Sequence, residues 1–412
     1  MIRITLLLSL FILFTGGIFS QPRPRADING RVEADVIQTS RNSYQLYLSL
    51  RIPYDQLIFE KNDSVYVSGT EFSCEIYDGD KLIERQSVTQ NVAVTGFNET
   101  LRRDAYVQNL ISFKLNGSVF TVKPSLKRDN ASIPMPIKEF TVDLANGDKK
   151  ARPIVVENTG SIGNYILVNM GNTIPYDGKK YTLLVPVPDS LSQSKILIEQ
   201  NGVQLKDTII NSIPNETCTI KQKEGEIEVS LIPGNGKTAG YIPVELPKSV
   251  DEGELQAVLE QNKKRTIYNI SVVWHDKPFV LNDIDMAVNL LKIITNDNQI
   301  DYIYSHTSSE RYKALKTVWA RITKTDSVGY NPLMNEFYTR ADYAIMNFSY
   351  NNQRNGIETD RGRVYLRFGK PTRIERNYNG KYGVVETWYY DNLKRKFDFE
   401  DTNGKGNFII RQ

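Results

Sequence analysis

The chain has 412 residues, 40% hydrophobic and 24% charged, which excludes a disordered chain and calls for roughly two to four domains. Its formal net charge is +3, with two histidines and two cysteines. A three-histidine zinc site is therefore excluded, and the lack of a C-x-x-C pair argues against redox catalysis and thiolate-bound zinc.

Residues 1–20 read as an export signal. Arg3 gives the positive start, Ile4 to Phe14 is an apolar run too short for a stable span, and Ile18 and Ser20 occupy the −3 and −1 positions of a cleavage site before Gln21. No cysteine lies near that position, so a lipoprotein is not expected. No later stretch is long and apolar enough to cross a bilayer, so no transmembrane span is expected after signal cleavage.

Residues 28–147 carry a β pattern. Leu46, Leu48, Leu50 and Ile52 alternate with Gln45, Tyr47, Ser49 and Arg51, which predicts a half-buried strand. Phe72, Cys74 and Ile76 lead into Asp78-Gly79, a two-residue hairpin signal. The polar run Asn146 to Lys150 marks a boundary. A second β unit over 151–275 follows, with a hairpin signal at Asn201-Gly202 and a final strand through Ile270, Val272 and Trp274. Both units predict antiparallel β-sandwiches of immunoglobulin or fibronectin type in tandem. Cys74 and Cys218 read as buried free thiols, with a disulfide left open.

From 276 to 412 the period changes to 3.6. Asn282 is a candidate cap for a helix through Ile284, Ala287, Val288 and Leu291. Thr307 with Glu310 forms a capping-box pattern before Tyr312, Leu315, Val318, Trp319 and Ile322. Asn331-Pro332 starts a third helix. A small sheet is then predicted over Val364–Phe368, Val384–Tyr390, Phe397–Phe399 and Phe408–Ile410. The fold class is mainly β, ending in an α+β domain. Charge divides along the chain: 307–412 holds 19 basic against 12 acidic residues, and 21–306 is net acidic.

Gly356-Ile357-Glu358-Thr359-Asp360, followed by Arg361 and Gly362, resembles the motif of the GWxTD domain, found in secreted proteins of Bacteroidota and related phyla, with Ile357 in the tryptophan position. Trp274 to Pro278, Asn335 to Ala344 and Glu386 to Tyr390 strengthen the resemblance, which runs from about Trp274 to the C-terminus. It implies export and β-sandwich domains ahead of the motif, and it brings no established activity. The replacement by Ile357 fits packing better than an aromatic platform.

Candidate binding residues are Gly356, Thr359, Asp360, Arg361 and Gly362 of the motif turn, with Arg363 and Arg367 on one face of the strand expected after it. The bland alternative is a turn whose Asp360 bonds its own backbone while the arginines pair with Glu336 or Asp342. His275 beside Asp276 is a poor dyad, because neighbours on an extended segment point apart. Ser64, Ser190, Thr208 and Ser327 sit in Asp-(Ser/Thr)-apolar triplets, which resemble the O-glycosylation sites of exported Bacteroidota proteins, and all four are expected in or beside turns.

Together these readings predict an exported protein of the periplasm or outer membrane, a non-enzymatic binding or scaffolding subunit with the basic C-terminal domain as its recognition module. The expected partner is an envelope protein or an anionic glycan or lipid surface, with no nucleic acid, metal or cofactor. The alternative is a hydrolase of cell-wall or glycan substrate using Asp360 and Glu386. Carriage of a small apolar ligand lacks support, since no spare apolar surface is evident in the sequence.

Overall fold

The computed structural model describes residues 31–411 apart from 41–42, 103–104, 129–133, 145–150, 171–172, 188–192, 211–215, 224, 234–239, 326–328, 350–354, 381–382 and 402–403. The expected signal segment, the polar break at 145–150, Ser190 and Ser327 lie outside the described residues.

The first unit contains β1 (Arg31–Ser40), β2 (Ser43–Pro53), β3 (Glu60–Asn62), β4 (Val65–Asp78) and β5 (Lys81–Val94). A one-turn helix α1 (Phe97–Thr100) leads to β6 (Tyr106–Leu115), β7 (Val119–Arg128), β8 (Met135–Pro136) and β9 (Phe140–Asp143). One sheet has the order β1-β2-β6. In the other, β4 pairs with β7, β3 and β5 lie on β4, and β8 and β9 lie on β7. The β4–β5 hairpin turns at Gly79, whose φ of +57° suits glycine. Leu46, Leu48, Leu50 and Ile52 pack between the sheets against Phe72, Cys74 and Ile76.

The second unit contains β10 (Ile154–Asn158), β11 (Asn164–Asn169), β12 (Thr173–Pro175), β13 (Thr182–Val187), β14 (Ser194–Gln200) and β15 (Val203–Ile210). It continues with β16 (Glu216–Lys223), β17 (Glu226–Pro233), β18 (Gly240–Glu245), β19 (Gly253–Gln261) and β20 (Lys264–Val273). The sheets run β16-β17-β11-β10-β13-β18 and β12-β20-β19-β14-β15. Asn201 and Gly202 both take positive φ, as the expected β14–β15 hairpin requires. One pair departs from antiparallel order: β12 runs parallel to β20.

The third region holds α2 (Ile284–Leu291), α3 (Asp297–Tyr304), α4 (Arg311–Thr323), α5 (Pro332–Phe348) and α6 (Asp360–Phe368). A four-stranded sheet closes the chain: β21 (Arg373–Gly380), β22 (Gly383–Tyr390), β23 (Arg395–Asp401) and β24 (Ile409–Ile410). No helix among the described residues is long and apolar enough to cross a membrane.

Several local expectations need correction. The strand expected at Val364–Phe368 is α6, and β21 fills its place in the sheet. Asp283, not Asn282, caps α2, accepting from Met286 N at 3.0 Å. The unexpected α3 is capped by Asn296, which accepts from Gln299 N. Glu310 is the residue before α4, and Thr307 donates its hydroxyl to that carboxylate at 2.7 Å, so no reciprocal box forms. Asn331 does cap α5, accepting from Leu333 N and Met334 N, with Pro332 at the first helical position.

Tertiary packing joins the three regions. β2 is buried on both faces, because Tyr47, together with Ile37 of the neighbouring β1, turns away from the first core and packs on Met170, Cys218, Ile220 and Tyr241 of the second unit. The Gln222 amide clamps the exposed edge of β6, accepting from Leu110 N at 3.0 Å and donating to Gln108 O at 2.9 Å. A single core then runs from Val155 and Leu255 through Val288, Trp319 and Tyr338 to Trp388 and Phe399. At that second joint the buried Lys316 places Nζ 2.6 Å from Asp251 Oδ1, and Lys277 and Tyr312 both bond Glu252. Cys74 and Cys218 are buried free thiols in separate cores.

Candidate functional site

The alternation of Val364, Leu366 and Phe368 with Arg363, Tyr365 and Arg367 looks like a strand. The backbone is helical because the preceding residues build a helix start. Thr359 caps α6, its Oγ accepting from Gly362 N at 3.0 Å while donating to Gly356 O at 2.6 Å. Such a cap contributes about 1 kcal/mol. Asp360 occupies the first turn, where the helix dipole favours a carboxylate. Val364, Tyr365 and Leu366 are all buried, which a strand facing one core cannot achieve. The helix is wedged, with α5 on one side and the terminal sheet on another.

The two glycines permit that wedge. A Cβ on Gly356 would stand 2.1 Å from Ala344 O of α5, and one on Gly362 would stand 2.0 Å from Gly356 O. Both obstacles are backbone atoms and cannot swing aside. Gly356 N donates to Ser349 Oγ at 3.1 Å, and Ile357 is 6% exposed within the core.

Two charged residues at the motif, Asp360 and Arg361, are held by internal bonds. Asp360 accepts from Ile410 N at 2.9 Å, holding β24 on the start of α6 rather than bonding its own turn. Arg361, 13% exposed at the side chain, lies 3.7 Å from Glu386 Oε1 and 3.9 Å from the Phe408 ring centroid. Burial pushes its pKa below the ordinary arginine value, and Glu386 opposes that shift. Glu386, 2% exposed, also accepts from Arg376 Nε at 2.8 Å and Trp388 Nε1 at 2.6 Å. The arginine partners expected from the sequence are wrong: Glu336 pairs with Arg340, and Asp342 accepts from Phe279 N and Val280 N. The signal for Glu386 was present, since an acid sharing a strand face with Trp388 and Tyr390 must turn inward and requires cations.

The other family-like segments lead to the same place. Trp274 joins Tyr176 and Tyr330 in an aromatic cluster, and Pro278 precedes the 3-10 turn Phe279–Asn282. Phe337, Tyr338, Ala341 and Ala344 give α5 its buried face, and Tyr390 OH donates to Gly369 O at 2.9 Å.

Arg363 and Arg367 do share a face, one turn apart on α6 rather than along a strand, and Tyr365 points away from them to stack on Tyr343 at 4.5 Å. Both arginines are exposed and make no hydrogen bond or ion pair with a described residue. They border a groove of about 470 Å³ lined by Leu290, Ile293, Ile357, Glu358, Arg363 and Arg367. Ile293 is 41% exposed there, so spare apolar surface exists that the sequence did not reveal. Neither Asp360 nor Glu386 lines this groove.

A protein-family comparison agrees with the motif, since residues 255–408 match the model of the GWxTD domain. The chain carries a GWxTD domain. The match begins inside β19, so the family unit includes the last two strands of the second sandwich as well as the region from Trp274 onward. The GWxTD motif itself supplies a cap, a carboxylate tie and two close backbone contacts. No curated protein matches the chain. Among solved structures, a Bordetella pertussis protein assigned as ApaA shares 15% identity, over 29% of this chain and 95% of its own, at a TM-score of 0.19. The BSP domain of a biofilm-associated protein shares 8%, over 60% of this chain and 67% of its own, at 0.16. Tandem immunoglobulin domains of titin share 8%, over 60% and 96%, at 0.13. Scores this low carry no conclusion about this chain.

Proposed function

We propose that this GWxTD protein is an exported binding or scaffolding subunit of an envelope assembly, with its C-terminal domain as the recognition module. The observation that carries the reading is the division of labour among the basic residues. Arg361, Arg373 and Arg376 pair with Glu386, Glu375 and Glu386 respectively. Arg363 and Arg367 stand exposed, with no ion pair or hydrogen bond to a described residue, Arg367 lying only 5.9 Å from the Phe368 ring centroid. Cations left in water beside a groove are available to an anionic surface. The hydrolase alternative gains no support, because it needs two carboxylates facing a cleft and both Asp360 and Glu386 are held in internal bonds.

Export rests on the character of residues 1–20, and glycosylation on the residue triplets. Ser64 lies exposed in the turn between β3 and β4, a place a glycan could occupy. Thr208 lies within β15 and is half-buried, not in a turn as expected.

The test is affinity purification of the tagged chain from gently solubilised envelopes of its own host, beside an Arg363→Glu/Arg367→Glu variant. A stoichiometric partner lost in the variant supports the reading. A lone monomer in both samples overturns it.

A further inference from the structure

We propose that the groove beside the motif receives the C-terminal end of a partner polypeptide, its last apolar side chain on the groove floor and its α-carboxylate on Arg363 and Arg367. The inference rests on the recognition reading above and names the chemistry recognised.

The floor is apolar, built from Leu290 and Ile293 at the end of α2 and Ile357 in the 3-10 turn before α6. Ile357 stands where the GWxTD motif has tryptophan, and it lines the groove while remaining 6% exposed. About 470 Å³ falls within the size of sites that take small ligands, and holds one or two side chains. One wall is basic, since Arg363 and Arg367 lie four residues apart and face solvent on the same side of α6. Guanidinium groups bind carboxylates through paired N–H donors. The rim also carries Glu358, exposed and without an ion pair to a described residue.

This combination selects among occupants. A fatty acid matches the floor and the arginines but offers nothing to Glu358. A peptide terminus matches all three, because the amide N–H groups preceding its carboxylate are donors for the Glu358 carboxylate. An extended anionic glycan matches the arginines and leaves the apolar floor in water.

The test uses the full chain and a bead library of peptides with randomised last four residues, in free-carboxylate and C-terminally amidated forms. Enriched sequences are then measured by fluorescence anisotropy. Free-carboxylate peptides ending in an apolar residue should be enriched, and amidation should weaken them roughly tenfold to a hundredfold. Arg363→Gln/Arg367→Gln should abolish the difference between the two forms. Ile357→Trp restores the motif residue and so should fold, while removing the preference for an apolar last residue. Absence of a carboxylate preference overturns the inference, as does displacement of the peptides by dodecanoate at equal concentration. An envelope partner that is lost on Arg363→Glu/Arg367→Glu yet kept on Ile357→Trp, and that binds without its own C-terminus, leaves the recognition reading standing and removes only the groove.

Discussion

Gly362→Ala sets two physical effects of opposite sign against each other. In a free helix the change should stabilise by about 1 kcal/mol, because alanine has the higher helix propensity. Here the added Cβ meets Gly356 O at 2.0 Å and Ile357 Cα at 2.8 Å. Relief requires moving the 3-10 turn away from α6 by more than an ångström. That displacement breaks the Thr359 cap, whose two bonds measure 2.6 and 3.0 Å, at about 1 kcal/mol each. It also unseats Ile357 from the core, for about a further 2 kcal/mol. The steric side exceeds the propensity gain, and the net expectation is a loss of about 2–4 kcal/mol. For a cooperative unit of this size the loss lowers Tm by roughly 5–15 °C. The assay is thermal unfolding of the full chain by circular dichroism, with Arg363→Ala on the exposed face of α6 as a control expected to stay within about 0.5 kcal/mol. A Tm for Gly362→Ala at or above the parent value would refute the account of the motif as a close-packed joint.

Other consequences are equally direct. Lys316→Met leaves the Asp251 carboxylate, which still accepts from Glu252 N, without its cation at the joint between the second sandwich and α4. Because the Asp251 side chain keeps 36% exposure, the cost should be about 2 kcal/mol rather than the ~3–5 of a fully buried pair, and Asp251→Asn in the same chain should recover most of it in denaturant titrations. Glu386→Gln keeps an acceptor for Trp388 but removes the charge facing Arg361 and Arg376. It should cost about 2–3 kcal/mol by urea unfolding, with an unchanged midpoint counting against a structural role. Burial pushes the Cys74 thiol up to about 12, and Cys218 is raised as well. Their contribution to stability should therefore be complete below the free-thiol pKa of about 8.5 and decline as pH rises from there toward 12. A chromogenic disulfide reagent at pH 8 should label neither thiol until denaturant is added, and prompt labelling of the native chain would contradict their burial. Intact mass of the chain from its own host should exceed the bare sequence if the triplet at Ser64 is glycosylated, and equality would remove that proposal.

Elements with local signals were legible in the residues alone. Asp78-Gly79 and Asn201-Gly202 turn their hairpins because positive φ is inexpensive there, and Asn331-Pro332 starts α5 because cap and ring both suit the first turn. The motif and its companion segments were equally readable, and they marked the domain that the family match covers. The rest depended on packing between distant segments. Arg363 to Phe368 reads with a period of two, yet it is a helix, because Gly356 lets the 3-10 turn sit against α5, Gly362 lets α6 sit against that turn, and three consecutive residues are then buried in the one core on different sides of the helix. β2 reads as half-buried, yet both faces are covered, because the second sandwich packs on the one that looked polar. The pairing of Arg361 with Glu386 and the groove at Ile357 join residues from separate elements. Local patterns record what each residue tolerates, whereas pairing and concavity depend on which surfaces meet.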